Sequence, residues 1–352
     1  MNSSTFHEQP TQTPERLAFY AELDRHDLGA LWEVLGKLGS LEPRPASVPA
    51  HWNYDDLRPL LMKSGSLISA EEAERRVLVL ENPGLRGRSQ ITGSLYAGLQ
   101  LILPGEIATS HRHVASALRF IVEGQGAYTA VDGERVSMRP GDFIITPSWT
   151  FHDHGNIGEE PVVWMDGLDI PIVNLFDTGF AQKYAGSTQP VTRAEGDALA
   201  RYGTNMLPVE YTRYGSTSPV FSYPYERSRE ALARLVRSGP LHPSHGVKLQ
   251  YVNPATGGAA MPTIGTWLQL LPAGFDTAAY RSTDGTVFSV VEGSGYSVIG
   301  GKKFAWKPKD IFVVPSWVNV EHHADDDAVL FSFSDRPSQQ ALGLWRDEAI
   351  SS

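Results

Sequence analysis

Cysteine is absent from the 352-residue sequence, which excludes disulfides, thiolate metal ligands and cysteine nucleophiles together. Basic runs are also missing, and the formal net charge of −10 gives no electrostatic basis for binding nucleic acid or an anionic membrane. No apolar run approaches the roughly 18 residues that a membrane-spanning helix requires. Because residues 1–14 also lack the features of a secretion signal, we expect a cytoplasmic protein with a small-molecule partner.

Helical signals occur at the start and in the middle of the chain. Thr13 before Pro14 is typical of a capped helix start, and helical patterns return at residues 193–202 and 226–238. The predicted segments outside the β-rich regions are an N-terminal helical arm and linker, residues 1–75, and a helical linker region, residues 181–245.

Two regions, residues 76–180 and 246–352, are rich in β-strand signals. Short apolar or alternating segments are separated there by glycine-containing turn pairs, which is typical of an antiparallel barrel or sandwich. The two regions also repeat one another. The letters LQL at 99–101 return at 268–270, and VEGQG at 122–126 returns as VEGSG at 291–295, an offset of 169 residues in both cases. This repeat indicates that one domain was duplicated.

Two His-X-His pairs, His111 with His113 and His152 with His154, lie in the first β-rich region. Residues i and i+2 of a strand face the same side, so each pair presents both imidazoles to one face. If the two strands are neighbours in a barrel, three or four imidazoles converge inside it. A single buried histidine is more often structural than a ligand, but two such pairs favour a metal site. Imidazole suits iron, zinc, nickel and copper, so the ligand type alone does not choose among them.

The spacing around these histidines resembles the two motifs of the cupin superfamily. The matching residues are Gly105, His111, His113 and Gly124 in the first motif, and Gly141, Pro147, His152 and Asn156 in the second. The resemblance implies a mainly β bicupin: two antiparallel jelly-roll barrels with flanking helices at the N-terminus and between the barrels. The metal-binding cupin barrel would occupy residues 76–180, and a degenerate second barrel with a C-terminal tail would occupy residues 246–352.

The resemblance also implies a metal-ligand set of three neutral histidines, His111, His113 and His152. The glutamate that many cupins use as a fourth ligand falls at Ala117. Three neutral ligands leave the charge of a divalent ion uncompensated, which favours a chelating anionic substrate and leaves a further position for dioxygen. In the second copy the equivalent positions hold Tyr280, Ser282 and Val320, which cannot hold such a metal. His322 and His323 face opposite ways there, so we interpret them as structural or surface groups, and the second barrel as a support for the fold or the oligomer.

Longer stretches narrow the resemblance to the gentisate 1,2-dioxygenase family. They are SHRH at 110–113, SALRF at 116–120, DGER at 132–135, PGDFIITPSW at 140–149 and HDHGN at 152–156. The likeness covers nearly the full chain, including the degenerate second barrel. It implies an oxidoreductase with Fe(II) as cofactor that cleaves the ring of gentisate with O2 to give maleylpyruvate, and a homo-oligomer, specifically a homotetramer.

The resemblance implies further residues of the site. Arg119 lies six residues after His113 with the same strand parity, so its guanidinium could form a bidentate hydrogen bond with a substrate carboxylate. The alternative is that Arg119 forms an ion pair at the protein surface. His154 would be a catalytic group near substrate or oxygen rather than a ligand, and its alternative is a histidine bonded to a backbone carbonyl. The substrate-facing positions on one strand face are Tyr96, Gly98 and Gln100. Two further positions each have two candidates. Asp166 or Asp169 would lie near the far hydroxyl of the substrate, and Arg75 or Arg76, before the first strand, would face the substrate.

Two alternative functions remain beside gentisate cleavage. The first is the same chemistry on salicylate or 1-hydroxy-2-naphthoate. Tyr96 at the cavity face, in place of a larger tryptophan, weakly favours gentisate over these two acids. The second is a non-catalytic bicupin that binds or stores a ligand. A binding protein of that kind predicts a missing metal triad, whereas the triad here is intact in one copy and lost in the other.

Overall fold

The computed structural model describes residues 12–211 and 215–350. It divides into two units, residues 1–44 and 45–352. Within the described residues no helix is long and apolar enough to cross a membrane. Residues 1–11, on which part of the prediction about a secretion signal rests, lie outside the described residues.

The helices are short and lie between or beside the strands. Helix α1 begins at Pro14, and the Thr13 side chain accepts a hydrogen bond from the backbone N–H of Arg16, so the predicted capped start is confirmed. The helices are α1 (Pro14–Asp24), α2 (Leu31–Leu38), α3 (Tyr54–Leu67), α4 (Ala70–Ala73), α5 (Ile170–Leu175), α6 (Asp197–Tyr202), α7 (Tyr225–Leu235) and α8 (Arg336–Ala341). The two helical patterns predicted in the middle of the chain correspond to α6 and α7, and both helices are shorter than predicted.

Strands are the predominant secondary structure of the second unit. In chain order they are β1 (Ala50–Trp52), β2 (Val77–Val79), β3 (Tyr96–Ile102), β4 (Ile107–His113), β5 (Ala117–Glu123), β6 (Ala127–Val131), β7 (Glu134–Ser137), β8 (Phe143–Thr146), β9 (His152–Asn156), β10 (Val162–Leu168), β11 (Ala181–Lys183), β12 (Ser222–Tyr223), β13 (Val247–Gln250), β14 (Gly265–Leu271), β15 (Tyr280–Ser282), β16 (Thr286–Glu292), β17 (Gly295–Ile299), β18 (Lys302–Trp306), β19 (Ile311–Val314), β20 (Val320–Ala324), β21 (Ala328–Ser334) and β22 (Asp347–Ala349).

Each cupin half consists of a six-stranded and a five-stranded antiparallel sheet. The first half has the orders β12-β8-β5-β10-β3-β2 and β11-β4-β9-β6-β7. The second half has the orders β1-β19-β16-β21-β14-β13 and β18-β17-β20-β15-β22. The prediction of a mainly β bicupin with helices at the N-terminus and between the barrels is confirmed. The hydrogen bonds between the described strands leave two sheets in each half and do not close them into one cylinder.

The two halves exchange edge strands. Strand β1 precedes the first half but pairs with β19 of the second, and β12 precedes the second half but pairs with β8 of the first. Helix α3 follows β1, and helix α7 follows β12. An aspartate at equivalent positions of the repeat accepts a hydrogen bond from the first backbone N–H of each helix: Asp310 accepts from Tyr54 at 2.8 Å, and Asp142 accepts from Tyr225 at 2.9 Å. Each half therefore depends on the segment in front of the other half for an edge strand and for an anchored helix.

The main hydrophobic core lies where the two six-stranded sheets meet. The Phe120 ring on β5 stacks on the Phe331 ring on β21 with centroids 4.1 Å apart. Gly167 on β10 has no room for a side chain, because a Cβ atom there would lie 2.8 Å from the Phe333 ring. Arg119 precedes Phe120 on β5 and points to the other face, away from this core. The packing between the halves thus fixes which face of β5 and β10 lines the interior of the first barrel.

Candidate metal centre

The two His-X-His pairs lie on neighbouring strands, β4 and β9. His111 pairs directly with His152 across the two strands, and a one-residue bulge interrupts the register between Ala108 and His111. The ring centroids of His111 and His152 lie 4.4 Å apart, and those of His113 and His152 lie 4.9 Å apart. One nitrogen from each of the three rings lies within 4.8 Å of the other two, so the triad can hold a metal ion.

Backbone carbonyls orient all three rings in the same way. Nδ1 lies 3.3 Å from the Thr109 carbonyl oxygen in His111, 2.7 Å from the Ala115 carbonyl in His113 and 3.0 Å from the Thr150 carbonyl in His152. A carbonyl only accepts, so Nδ1 of His113 and of His152 carries the hydrogen and Nε2 of each keeps a lone pair. Nδ1 of His111 also lies beside Arg75 Nη2, which only donates, so the two contacts of this ring call for opposite tautomers. This outer hydrogen bonding is typical of metal-ligating histidines.

Burial and neighbouring cations keep these imidazoles neutral. Burial lowers the pKa of His111 to about 3, with the Arg75 guanidinium adding to the effect. The pKa values of His113 and His152 are lowered for the same first reason, and Arg119 contributes to both. A metal ion requires deprotonated ligands, so the triad is prepared to bind one at neutral pH.

Arg119 and Asp166 face each other across β5 and β10, where they are paired in register. The guanidinium donates from Nη1 to the Thr146 hydroxyl at 2.5 Å, and its Nε lies 3.6 Å from Asp166 Oδ1. Asp166 accepts a hydrogen bond from Trp164 Nε1 at 3.0 Å. Burial raises the pKa of Asp166 to about 6, although Arg119 acts in the opposite direction. The surface ion pair considered as an alternative for Arg119 is excluded, because the side chain is only 4% exposed.

The structure shows which of Arg75 and Arg76, and which of Asp166 and Asp169, lies at the cavity. The Arg75 guanidinium reaches the metal site, where Nη2 lies 2.7 Å from the Thr109 carbonyl oxygen and beside His111 Nδ1. Arg76 turns away and forms a two-point ion pair with Glu106, both N···O distances being 2.8 Å. Asp169 follows the end of β10 and accepts from the Ser116 backbone N–H at 2.8 Å. Asp166 therefore lies at the cavity, and Asp169 serves the loop before β5.

A cavity of about 140 Å³ lies between the two sheets, next to the triad. Its walls are Arg75, Val77, Tyr96, Gln100, His111, His113, Ala117, Arg119, His152, Asp166, Leu168 and Ile170. The Gln100 side chain is buried and makes no hydrogen bond with the described residues. Gly98 lies between Tyr96 and Gln100 on β3, and a Cβ atom there would lie 2.5 Å from Val77 Cγ1. Gly98 thus lets β2 approach β3 at the cavity wall.

His154 occupies a deeper position than the prediction of a group beside the substrate required. Its ring lies 5.7 Å from His152 and 5.5 Å from Trp164, and it is not part of the cavity wall. Neither ring nitrogen has a hydrogen-bond partner among the described residues. Burial, followed by the charge of Arg119, lowers the pKa of His154 well below its usual value. The alternative of a bond to a backbone carbonyl is therefore not what the structure shows.

Several cavity residues were missed by sequence reasoning. Leu168 has the same strand parity as Asp166, so the pattern on β10 could have revealed it. Val77 pairs with Gln100 across β2 and β3, which only the register shows. Ile170 follows a strand at the start of α5 and carries no periodic signal. Thr146, which accepts a hydrogen bond from Arg119, lies inside the second motif but at one of its variable positions, one residue before Pro147.

The strand register confirms how the second copy differs. Tyr280 pairs with Val320 on β15 and β20, as His111 pairs with His152 in the first half. His322 is buried and shares a hydrogen bond of 2.7 Å with the Ser297 hydroxyl. His323 lies on the opposite face of β20 and contacts Asp276 at 2.6 Å. The structure thus agrees with the interpretation of both as structural or surface groups.

Comparison with known proteins identifies the family. The cupin domain family matches residues 98–170, the segment that carries the triad. The chain is 58% identical over 343 residues to gentisate 1,2-dioxygenase 1 of Aquipseudomonas alcaligenes, which covers 97% of this chain and 99% of that protein. The chain belongs to the gentisate 1,2-dioxygenase family. Within the family it is also 35% identical to a 1-hydroxy-2-naphthoate 1,2-dioxygenase of a Nocardioides species, over 87% of this chain and 80% of the other.

A solved structure supports the same assignment. Salicylate 1,2-dioxygenase from Pseudoaminobacter salicylatoxidans, determined as adducts with gentisate, superposes with a TM-score of 0.92 at 36% identity. The superposition covers 98% of this chain and 96% of that one. Members of the family are thus ring-cleaving dioxygenases, and the predictions of an enzyme and of a bicupin fold are both confirmed.

Proposed function

We propose that this chain converts gentisate and O2 to maleylpyruvate, with iron(II) held by His111, His113 and His152. The observation that carries the proposal is the triad itself, with three nitrogens within 4.8 Å at the wall of a cavity that also presents two arginines. The 58% identity to a gentisate 1,2-dioxygenase over nearly the whole chain supports the choice of substrate.

The donor set fits a first-row divalent ion. Three neutral imidazoles, two of them with Nδ1–H directed to a carbonyl, would leave the charge of the ion uncompensated. Iron(II) held by His111, His113 and His152 would supply a redox-active Lewis acid for the reaction of the substrate with O2. The triad alone does not distinguish iron from zinc or copper, so the choice of iron rests on the family.

The cations of the cavity orient the substrate carboxylate. Nε and Nη2 of Arg119 make no hydrogen bond with the described residues, which leaves the guanidinium able to donate to a carboxylate. Arg75 approaches from the other side, beside His111. Burial, followed by the charge of Arg119, lowers the pKa of Arg75 to about 10, although Asp166 acts in the opposite direction. A carboxylate placed there is attracted by both.

The part of the six-stranded sheet that lies beside Arg119 is suited to the hydroxyl groups of the ring. Asp166, Tyr96 and Gln100 line the cavity on β10 and β3, and we assign the far hydroxyl to Asp166. Tyr96 remains a neutral donor at working pH, because burial and the Asp166 charge raise its pKa. Gly98 serves the same wall by keeping β2 close. His154 has two unpartnered nitrogens one layer behind His152 and is not part of the cavity wall, so in its proposed role it would exchange a proton with the substrate hydroxyl nearest the metal through a bridging water.

Salicylate and 1-hydroxy-2-naphthoate are the competing substrates, since relatives of this chain bear those names. The experiment that tests the proposal is oxygen uptake by the iron(II)-loaded protein with each acid in parallel, followed together with the ring-cleavage product in the near ultraviolet. Uptake with gentisate far above uptake with the two monohydroxylated acids is expected. Oxygen uptake only with a monohydroxylated acid would overturn the assignment of gentisate as the substrate. No uptake with any of the three acids would favour the binding-protein hypothesis instead.

The remaining expectations belong to the same proposal. We assign the chemistry to the metal-binding barrel of residues 76–180, and to the barrel of residues 246–352 a supporting role. A homotetramer is proposed from the family resemblance, and sedimentation equilibrium tests it. A cytoplasmic location is proposed because a cysteine-free chain suits a reducing compartment, and cell fractionation tests that.

A further inference from the structure

The second barrel contains a cavity at the place that corresponds to the metal site. It lies between the two sheets of the second half and includes Tyr280, Ser282 and Val320, the positions that replace the three ligands. Gln269 occupies the position of Gln100, and Lys248 pairs with Gln269 as Val77 pairs with Gln100. The duplicated fold has therefore kept an interior space while exchanging its metal ligands for other polar groups.

The walls of this second cavity are cationic. Lys248, Arg281 and Arg336 line it, and its wall contains no acidic side chain among the residues that the structure describes. Arg336 is paired with the buried Asp284 at 3.3 Å, and Arg281 with Glu348 at 2.7 Å.

Among the residues that the structure describes, Lys248 is the one of these cations without an ion-pair partner. Its ammonium group makes neither a hydrogen bond nor an ion pair with any residue in the described part of the chain. It lies 5.5 Å from the Trp267 ring centre and 5.7 Å from that of Phe288. Burial, reinforced by Arg336 and opposed by the charge of Asp284, lowers the pKa of Lys248 to about 7. The cavity therefore favours an anion.

Gln269 provides a second and independent feature. Its side chain is 1% exposed, and its Nε2 donates to the His245 carbonyl at 3.0 Å, which fixes the orientation of the amide. Oε1 is then directed to the cavity wall and has no partner among the described residues. A buried acceptor without a donor is costly, so the group that fills this space is expected to bring a proton of its own.

We propose that the second cavity binds a small planar oxyanion that carries a proton, of the bicarbonate class, with its charge on Lys248 and its hydroxyl donating to Gln269 Oε1. The cavity volume of about 30 Å³, against about 140 Å³ at the metal site, excludes a substituted aromatic acid. His245 and His322 stay neutral beside the anion, because burial lowers the pKa of each to about 3. The site is separate from the metal site and does not depend on the proposed reaction.

Equilibrium dialysis with labelled bicarbonate tests the proposal. We expect one bicarbonate per chain that remains in His113→Ala protein, which separates this site from any binding at the metal. Lys248→Met is expected to weaken binding at least about tenfold, the usual size of a lost charge-assisted hydrogen bond. Lys302→Met is the matched control, because Lys302 is an exposed lysine of the same barrel, and it is expected to bind as the unaltered protein does.

Nitrate distinguishes the proton from the charge, since it has the same shape and charge as bicarbonate but no hydrogen. The unaltered protein is expected to prefer bicarbonate, and Gln269→Leu is expected to remove that preference. Three results would each overturn the proposal: no saturable binding, unchanged binding in folded Lys248→Met, or equal affinity for nitrate in the unaltered protein. The nitrate comparison needs no variant, so it decides the matter even if Lys248→Met fails to fold.

Discussion

Replacing Arg119 with methionine tests how the cavity holds the substrate carboxylate. The guanidinium is buried, donates to Thr146 at 2.5 Å and leaves Nε and Nη2 without hydrogen bonds to described residues. A hydrogen bond between charged groups contributes about 1.5–3 kcal/mol, which corresponds to about 10- to 150-fold in affinity. We therefore expect Arg119→Met to weaken anaerobic gentisate binding, measured by calorimetry on the iron(II)-loaded protein, by a factor in that range.

A neutral analogue shows whether the loss comes from the carboxylate. In gentisamide an amide replaces the carboxylate, so the difference in affinity between gentisate and gentisamide should be smaller in Arg119→Met than in the unaltered protein, with Arg75 keeping part of it. Arg112→Met is the matched control, because the Arg112 guanidinium lies 4.4 Å from the Trp149 ring and bonds Gln182 on the opposite face of β4. Equal weakening of both ligands by Arg119→Met, or an equal loss in Arg112→Met, would refute the assignment.

Three further changes have expected outcomes. His113→Ala is expected to retain no iron in metal analysis after dialysis, and full iron retention would exclude His113 as a ligand. Burial raises the pKa of Asp166 to about 6, above its value near 4 in an unfolded chain, so the ionised carboxyl destabilises the folded state above pH 6. Asp166→Asn in metal-free protein should then gain up to about 3 kcal/mol in urea unfolding at pH 8 and nothing at pH 4, whereas a gain independent of pH would contradict this cause. Asp310→Ala leaves the Tyr54 backbone N–H unpaired and should lower the free energy of unfolding by about 1–3 kcal/mol, a cost that an unchanged urea midpoint would rule out.

The convergence of His111, His113 and His152 could be predicted from strand parity, whereas the inward position of Arg119 was predicted from parity together with the family resemblance. Residues two apart on β4 and β9 face one side, and Arg119 keeps that parity on β5. Asp166 could not be separated from Asp169 in the same way, because the pattern did not show where β10 ends. The depth of His154 was missed since parity gives the face of a strand but not the distance from the cavity.

The exchange of edge strands could not be read from the sequence. Strands β1 and β12 contain three and two residues, too few for any alternating pattern. Their pairing depends on contacts with the other half of the chain, which lie more than 80 residues away at Tyr225 and more than 250 residues away at Tyr54. The cavity of the second barrel was also missed. Two residues that line it, Lys248 and Arg336, lie far apart in the sequence, near the two ends of residues 246–352.

The central claim is that the histidine triad holds iron(II) for the cleavage of gentisate by O2. The most direct test is the ratio of oxygen consumed to gentisate consumed by protein loaded with one iron(II) per chain, in the unaltered protein and in His111→Ala. The account predicts equal amounts of both, with absorbance of the ring-cleavage product, and no consumption in the variant. Oxygen consumption that continues in His111→Ala, or the absence of consumption in the unaltered protein despite bound iron, would contradict it.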